Sequence, residues 1–385
     1  MHNFEYYNPT RIVFGEGSIP RLAELVPADA RVLVLYGGGS AERNGTLAEV
    51  EAALGERRFQ RFGGIEPNPT YETLMQAVEQ IRREKLDFLL AVGGGSVVDG
   101  TKFVAAAVDY PEDPWHILET RGKQIATALP IGAVLTLPAT GSEVNCAAVV
   151  TRKALQAKLG FGNPLLYPRF AVLDPVKTYT LPPRQIANGV VDAFVHVMEQ
   201  YVTQPAKAAV QDRYAESLLL TLIETGPQAL ANPTDYDVRA NLMWAATQAL
   251  HGAVGAGVPQ DWATHMIGHE ITALYGLDHA QTLAVVLPNL LDVRRDVKRA
   301  KLLQYADRVW GLRTGDEDAR IDQAIAQTRA FFEALGVRTR LADYGVGAEA
   351  VERIVAQLEA HRMVKLGEDR AVDLAMSRRI VEACL

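Results

Sequence analysis

The sequence predicts an α/β domain with a parallel sheet, followed by an all-α domain. Three observations carry this. Arg31–Tyr36, Phe88–Val92 and Ala126–Leu137 are predominantly apolar, and each runs into a turn of small residues: Gly37-Gly38-Gly39-Ser40, Gly93-Gly94-Gly95-Ser96 and Pro138-Ala139-Thr140-Gly141-Ser142-Glu143. A strand with no polar face belongs in a sheet covered on both sides, as parallel sheets are. Past Leu181-Pro182-Pro183 the strand pattern stops and almost every segment has helical period. The division therefore falls between residues 1–180 and 181–385.

In chain order, Phe4–Phe14 is aromatic and β-branched and broken by Asn8-Pro9, which reads as two short strands around a turn. Ile19, Leu22 and Leu25 mark an amphipathic stretch, and Leu47–Leu54 a helix. A short segment at Phe59–Phe62 precedes a proline-marked loop, Glu66–Thr70. Residues 71–84 read as helix, as does Thr101–Val108 after the second glycine turn, and Leu173-Asp174-Pro175 closes the last strand. Helices are expected over 184–203, 208–230, 237–251, 261–275, 298–311, 319–335 and 347–361.

Composition narrows the function classes. The chain has 385 residues, 48% hydrophobic and 22% charged, with a net charge of −7 spread along it. That is an ordinary globular balance, without the basic stripe that nucleic acid requires. Cys146 and Cys384 form no CxxC motif, which fits a reducing cytoplasm. The N-terminus has no basic-then-apolar leader, and no apolar run approaches the ~20 residues of a membrane span.

Chemistry concentrates in two places. Asp192 and His196 are four apart on a helix that is apolar nearly all round, and His265, His269 and His279 share a second apolar stretch. A buried carboxylate is costly unless it is paired or holds a metal. Each pair alone also reads as a hydrogen-bonded core pair. Combined, Asp192, His196, His265 and His279 give one carboxylate and three imidazoles, a set suited to Zn²⁺ or Fe²⁺.

The second place is the strand ends. Gly93-Gly94-Gly95-Ser96 opens a helix, where backbone N–H groups and the helix dipole favour a phosphate; alternatively Ser96 is an N-cap with Asp99 at N3. Tyr36-Gly37-Gly38 lacks the acid that binds an adenine ribose 2′-hydroxyl, and Arg43 is nearby, which favours NADP over NAD. Thr140, Ser142 and Asn145 offer groups for a nicotinamide or cap the next helix. Lys158 reaches a ribose or is simply a solvated lysine.

The segments Gly93–Lys102, Leu137–Glu143, Asn188–Tyr201, Val258–Glu270 and Gly276–Pro288, in this order, resemble the iron-containing, metal-dependent (group III) alcohol dehydrogenases. The butanol dehydrogenase branch, of broad-specificity NADPH-dependent aldehyde reductases, is the nearest match. The resemblance spans essentially the whole chain. It implies an N-terminal dinucleotide-binding domain, a helical C-terminal domain and an active site in the cleft between them. It also implies one divalent metal, Fe²⁺ or Zn²⁺, on Asp192, His196, His265 and His279, with His269 beside the nicotinamide rather than on the metal. Gly37, Gly38, Gly39, Ser40, Gly94, Gly95, Ser96, Asp99, Thr136, Ser142, Asn145 and Lys158 match cofactor-contacting positions. A homodimer through Phe4–Phe14 is implied as well.

The expected reaction is reversible reduction of small to medium, butanal-like aldehydes by NADPH. Three neutral histidines and one aspartate would leave the metal a net charge of +1, enough for a Lewis acid. Two other readings stand beside it. One is an NAD-linked, metal-dependent cyclising lyase of the same fold, which needs a basic cluster absent around 261–288. The other is a non-catalytic nucleotide-binding protein.

Overall fold

Alternation of side chains across a strand means that an all-apolar strand feeds two cores at once. The computed structural model describes residues 1–385 and has that arrangement. Leu33, Leu35, Leu89, Ala91, Ile131 and Ala133 pack into one buried cluster. Their neighbours Val32, Val34, Phe88, Leu90, Val92 and Val134 pack into another. The sheet that separates them is all parallel, in the order β1-β8-β5-β4-β2-β3.

Its elements, in sequence, are β1 (Arg11–Phe14), α1 (Leu22–Leu25), β2 (Val32–Tyr36), α2 (Ser40–Arg43), α3 (Thr46–Leu54), β3 (Phe59–Phe62), α4 (Tyr71–Glu84), β4 (Phe88–Gly94), α5 (Gly95–Ala107), α6 (His116–Glu119) and β5 (Ile131–Leu137). An antiparallel hairpin of β6 (Ala147–Arg152) and β7 (Ala157–Gly162) precedes β8 (Phe170–Leu173). The helices that follow are α7 (Pro183–Tyr201), α8 (Ala209–Ala231), α9 (Tyr236–Ala249), α10 (Ala263–Tyr275), α11 (His279–Val293), α12 (Arg295–Arg308), α13 (Glu317–Ala334), α14 (Ala350–Ala360) and α15 (Leu374–Ala383).

The chain divides into two compact units that are not continuous in sequence. One holds Tyr7–Leu181 with Pro233–Thr247; the other holds Met1–Tyr6, Pro182–Asn232 and Gln248–Leu385. Most of α9 is therefore part of the α/β unit. Arg239 on α9 donates from Nε to Thr178 Oγ1 (2.9 Å), and Thr247 Oγ1 donates to Glu143 (2.7 Å). Polar side chains fix this helix to its unit, and hydrophobic periodicity does not register them.

Several local expectations need correction. Residues 4–14 hold one strand, not two: the Asn8 side chain donates to Val144 O (2.7 Å) and accepts from Thr10 N (3.1 Å), so the chain turns there. The β6–β7 hairpin went unread because its alanines and lysine are poor strand formers. Ser96 is not an N-cap. Helix α5 begins at Gly95 with Gly94 at its cap, and Ser96 Oγ accepts from Asn68 N (3.3 Å). Pro288 lies inside α11, where a proline ordinarily argues against helix.

In the helical unit, α7 is buried on almost every side. A buried ion cluster holds the entry to α10: Lys298 Nζ lies 2.7 Å from Asp261 Oδ2 and 2.8 Å from Glu368 Oε1. Asp261 Oδ1 in turn accepts from Ala263 N at the first turn of α10 (2.9 Å). No helix of the chain is long and apolar enough to cross a membrane.

Candidate functional site

Positions four and seven residues apart lie on one face of a helix, so α7 presents Asp192, His196 and Glu199 together. The first two face a shared centre with α10 and the start of α11. His196 Nε2 lies 3.5 Å from Asp192 Oδ1, His279 Nε2 3.7 Å and His265 Nε2 3.9 Å from the same oxygen. Donors about 2.1 Å from a tetrahedral ion sit roughly 3.4 Å from one another, so the spacing suits a metal.

Asp192, His265 and His279 form a set whose ligand atoms all lie within 4.8 Å of one another. His196 falls outside that mutual set but stacks on His265, with ring centroids 4.7 Å apart. His269 is buried one helical turn beyond His265; its ring is 5.3 Å from that of His279. His265 Nε2 is buried and makes no hydrogen bond. A nitrogen so placed, facing a carboxylate and two other imidazoles, fits a cation.

Two further side chains complete this centre. The first is Glu199, buried to 2% exposure. Its Oε1 accepts from Thr264 N (2.7 Å), and its Oε2 is hydrogen-bonded to His265 Nδ1. Burial alone would lower the His265 pKa, but Glu199 and then Asp192 outweigh it and raise it to about 9. The D-x₃-H-x₂-E spacing was the available signal. The second is Trp262, which precedes α10 with a left-handed backbone (φ 63°) and sets its indole edge-on to His265 at 5.4 Å.

Gln281 caps the start of α11, accepting from Asp278 N (3.0 Å), while Asp278 accepts from Asn188 Nδ2 (2.8 Å). Asp278 is thus engaged at the start of α11, and the close donor set of Asp192, His265 and His279 does not include it.

The α/β unit gathers the other predicted residues. Strands β5, β4 and β2 are sheet neighbours, and the register pairs Tyr36 with Val92 and Gly94 with Leu137. Gly37–Ser40, Gly94–Ser96 and Thr136 thus meet at the carboxyl ends of adjacent strands. A Cβ on Gly93 would collide with Val97, and one on Gly95 with Thr140, whereas one on Gly38 would meet nothing within 4 Å. Gly93 and Gly95 serve packing; Gly38 leaves open space. Helix α5 starts from Gly94 without a side-chain cap, which leaves its first N–H groups to an anion.

Asp99, Ser142 and Asn145 are linked internally through Lys102, which the sequence reading passed over. Lys102 Nζ donates to Ser142 Oγ (2.9 Å), Asn145 Oδ1 (3.0 Å) and Ala147 O (2.7 Å). Ser142 Oγ donates to Asp99 Oδ1 (2.6 Å), and Val149 N to Asp99 Oδ2 (2.8 Å). Burial pulls the Lys102 pKa down to about 8, against the opposing charge of Asp99. Burial likewise raises that of Asp99. These side chains brace α5 against the loop before β6. Lys158 is buried, not solvated, and donates to Asn68 Oδ1 (2.8 Å).

Residues 9–175 match the iron-containing alcohol dehydrogenase family, and residues 186–370 its Fe-containing alcohol dehydrogenase C-terminal region. The chain is 62% identical over 385 residues, all of both chains, to the NADPH-dependent aldehyde reductase YqhD of Escherichia coli. A crystal structure of that protein superposes with a TM-score of 0.99, covering 100% of this chain and 99% of the other. NADP-dependent alcohol dehydrogenase 3 of Entamoeba histolytica is 39% identical over 367 residues, 94% of each chain. The structure of NADH-dependent butanol dehydrogenase A from Thermotoga maritima is 33% identical, with a TM-score of 0.95 over 100% and 99% of the two chains.

Replacing Lys102 with methionine keeps the stem and deletes three hydrogen bonds beside a buried carboxylate. The expected loss is roughly 2–4 kcal/mol of stability. Urea unfolding checks it: a loss below about 1 kcal/mol would contradict a bracing role.

Proposed function

This chain belongs to the iron-containing alcohol dehydrogenase family, and on that premise we propose that it is a metal-dependent, NADPH-linked aldehyde reductase. The supporting observation is the convergence of three imidazole nitrogens on one buried oxygen of Asp192. Asp192, His196, His265 and His279 would hold one divalent ion, Fe²⁺ or Zn²⁺. When bound, that ion supplies a Lewis acid for a carbonyl oxygen, and NADPH supplies the hydride.

The chain's own groups do the rest. Asp192 brings the negative charge that makes the imidazole cluster a cation site, and Asp192, His196 and His265 are themselves almost fully buried. Low local polarity strengthens the electrostatic effects there. His269, buried beside His279, is the candidate to pass a proton to the nascent alkoxide.

The strand-end glycines Gly37, Gly38, Gly39, Gly94 and Gly95, with Ser40 and Ser96, would hold the cofactor phosphates. Thr136 and Lys158 would contact its sugar and nicotinamide portion. Relatives differ in cofactor: the E. coli and Entamoeba proteins carry NADPH or NADP in their names, the Thermotoga protein NADH. Tyr36-Gly37-Gly38 supports NADPH for this chain, since no acid stands there to repel a 2′-phosphate. A small to medium aldehyde is the expected substrate. The retained donor set weighs against a non-catalytic role. No basic cluster accompanies it of the kind a cyclising lyase needs for its anionic substrate.

Self-association is part of the proposal. Strand β1 is a sheet edge, and Tyr7 (74%) and Phe14 (40%) are exposed at or near it. A homodimer through this segment predicts twice the chain mass in light scattering; a monomer at micromolar concentration would refute it. A cytoplasmic location is also part of the proposal; Cys146 and Cys384 are free thiols.

Three outcomes test this reading. Stripping divalent metal should abolish NADPH oxidation with butanal, and Fe²⁺ or Zn²⁺ should restore it; full activity in metal-free protein would refute the assignment. His279→Ala should lose bound metal and rate together. Gly38→Asp, at an open position, should raise the KM for NADPH roughly tenfold or more by charge repulsion and favour NADH. An unchanged cofactor ratio would remove Gly38 from the 2′-phosphate site.

A further inference from the structure

We propose that Glu199 is the positioning residue of the metal centre. It fixes His265 in the tautomer protonated at Nδ1 and so leaves Nε2 as the ligand. This inference rests on the metal-centre reading above.

The geometry comes from one helix face. Glu199 stands seven residues after Asp192 and three after His196, so the two ligands of α7 and this carboxylate are held by the same rigid element. Its contacts all fall on the short stretch that launches α10. Glu199 O accepts from Asp261 N (2.8 Å), while Oε1 accepts from Thr264 N (2.7 Å) and His265 N (3.4 Å). Oε2 is bonded to His265 Nδ1. Helix α10 receives no side-chain cap from Trp262 at its own N-cap position. Glu199 and Asp261 satisfy its first N–H groups instead.

The proton assignment follows from chemistry. An ionised carboxylate only accepts, so the hydrogen between Oε2 and the ring resides on Nδ1. Nε2 is then the nitrogen left for a metal, which would displace its proton, and it lies 3.9 Å from Asp192 Oδ1 with no hydrogen bond of its own. A carboxylate behind a ligating imidazole also raises the basicity of the ring.

Helix α10 offers an internal contrast. Glu270 is fully buried and bonded to His361 Nδ1 (2.7 Å), but the close donor set of Asp192, His265 and His279 includes neither residue. A buried Glu–His pair is thus not in itself a metal device. Glu199 differs because its histidine faces that donor set.

The test separates orientation from mere capping. Glu199→Gln preserves size and an amide oxygen for Thr264 N, but its NH₂ then meets Nδ1 and pushes the ring proton to Nε2. The full-length variant should keep its thermal midpoint within a few degrees when metal-free, yet bind Zn²⁺ about 10–100-fold more weakly in chelator competition. ¹⁵N-imidazole spectra of the zinc-loaded parent should place a proton on His265 Nδ1, with the signal assigned by its loss in His265→Gln. Zinc affinity within about twofold of the parent's, or a parent His265 bound through Nδ1, would overturn the proposal. If Glu199→Gln does not fold, the parent spectrum alone decides. A parent that binds no divalent ion would overturn the metal-centre reading and this one together. A parent that binds tightly, with an indistinguishable Glu199→Gln, overturns this one alone.

Discussion

A carboxylate inside an apolar helix is the constraint on which the helical unit depends. Asp192 is 4% exposed, flanked by Val190, Val191, Phe194 and Val195, all fully buried. Its charge calls for a cation, and three imidazole nitrogens face the same oxygen from three different helices, a donor set that a divalent ion would complete. Satisfying that one oxygen requires α7, the first turns of α10 and the N-terminus of α11 to meet. The packing of these helices and the chemistry of the site therefore have a common origin.

The supports of this arrangement form a graded series. Glu199 holds the start of α10 from the side of α7, and the Lys298–Asp261–Glu368 cluster holds it from α12 and the segment before α15. Asn188 and Gln281 settle the turn that delivers His279. In the α/β unit Lys102 plays the corresponding part, bracing α5, whose N-terminus is the phosphate-binding element of the proposed function. In both units a buried charged residue, itself outside the predicted ligand sets, fixes the elements that carry them.

Much of this was legible in sequence, and the rest was not for identifiable reasons. Strands β2, β4 and β5 were readable because uniform apolarity has few explanations other than a covered parallel strand. Asp192 and His265 stood out because charged and titratable groups are rare in such apolar runs. Glu199 and Lys102 were missed since glutamate and lysine are common on helix surfaces, and only the fold reveals that these two are buried. The membership of α9 in the α/β unit depends on long-range polar contacts such as Arg239 to Thr178, which leave no periodic trace. The β6–β7 hairpin escaped for want of β-branched residues at its ends.

The central claim is that Asp192, His196, His265 and His279 bind one divalent ion. Anomalous diffraction from crystals of the zinc-reconstituted protein, recorded on both sides of the zinc absorption edge, tests it most directly. The account predicts a single strong peak bonded to Asp192 and to the Nε2 atoms of the three histidines. A peak elsewhere, or none at this centre at full zinc loading, would contradict it.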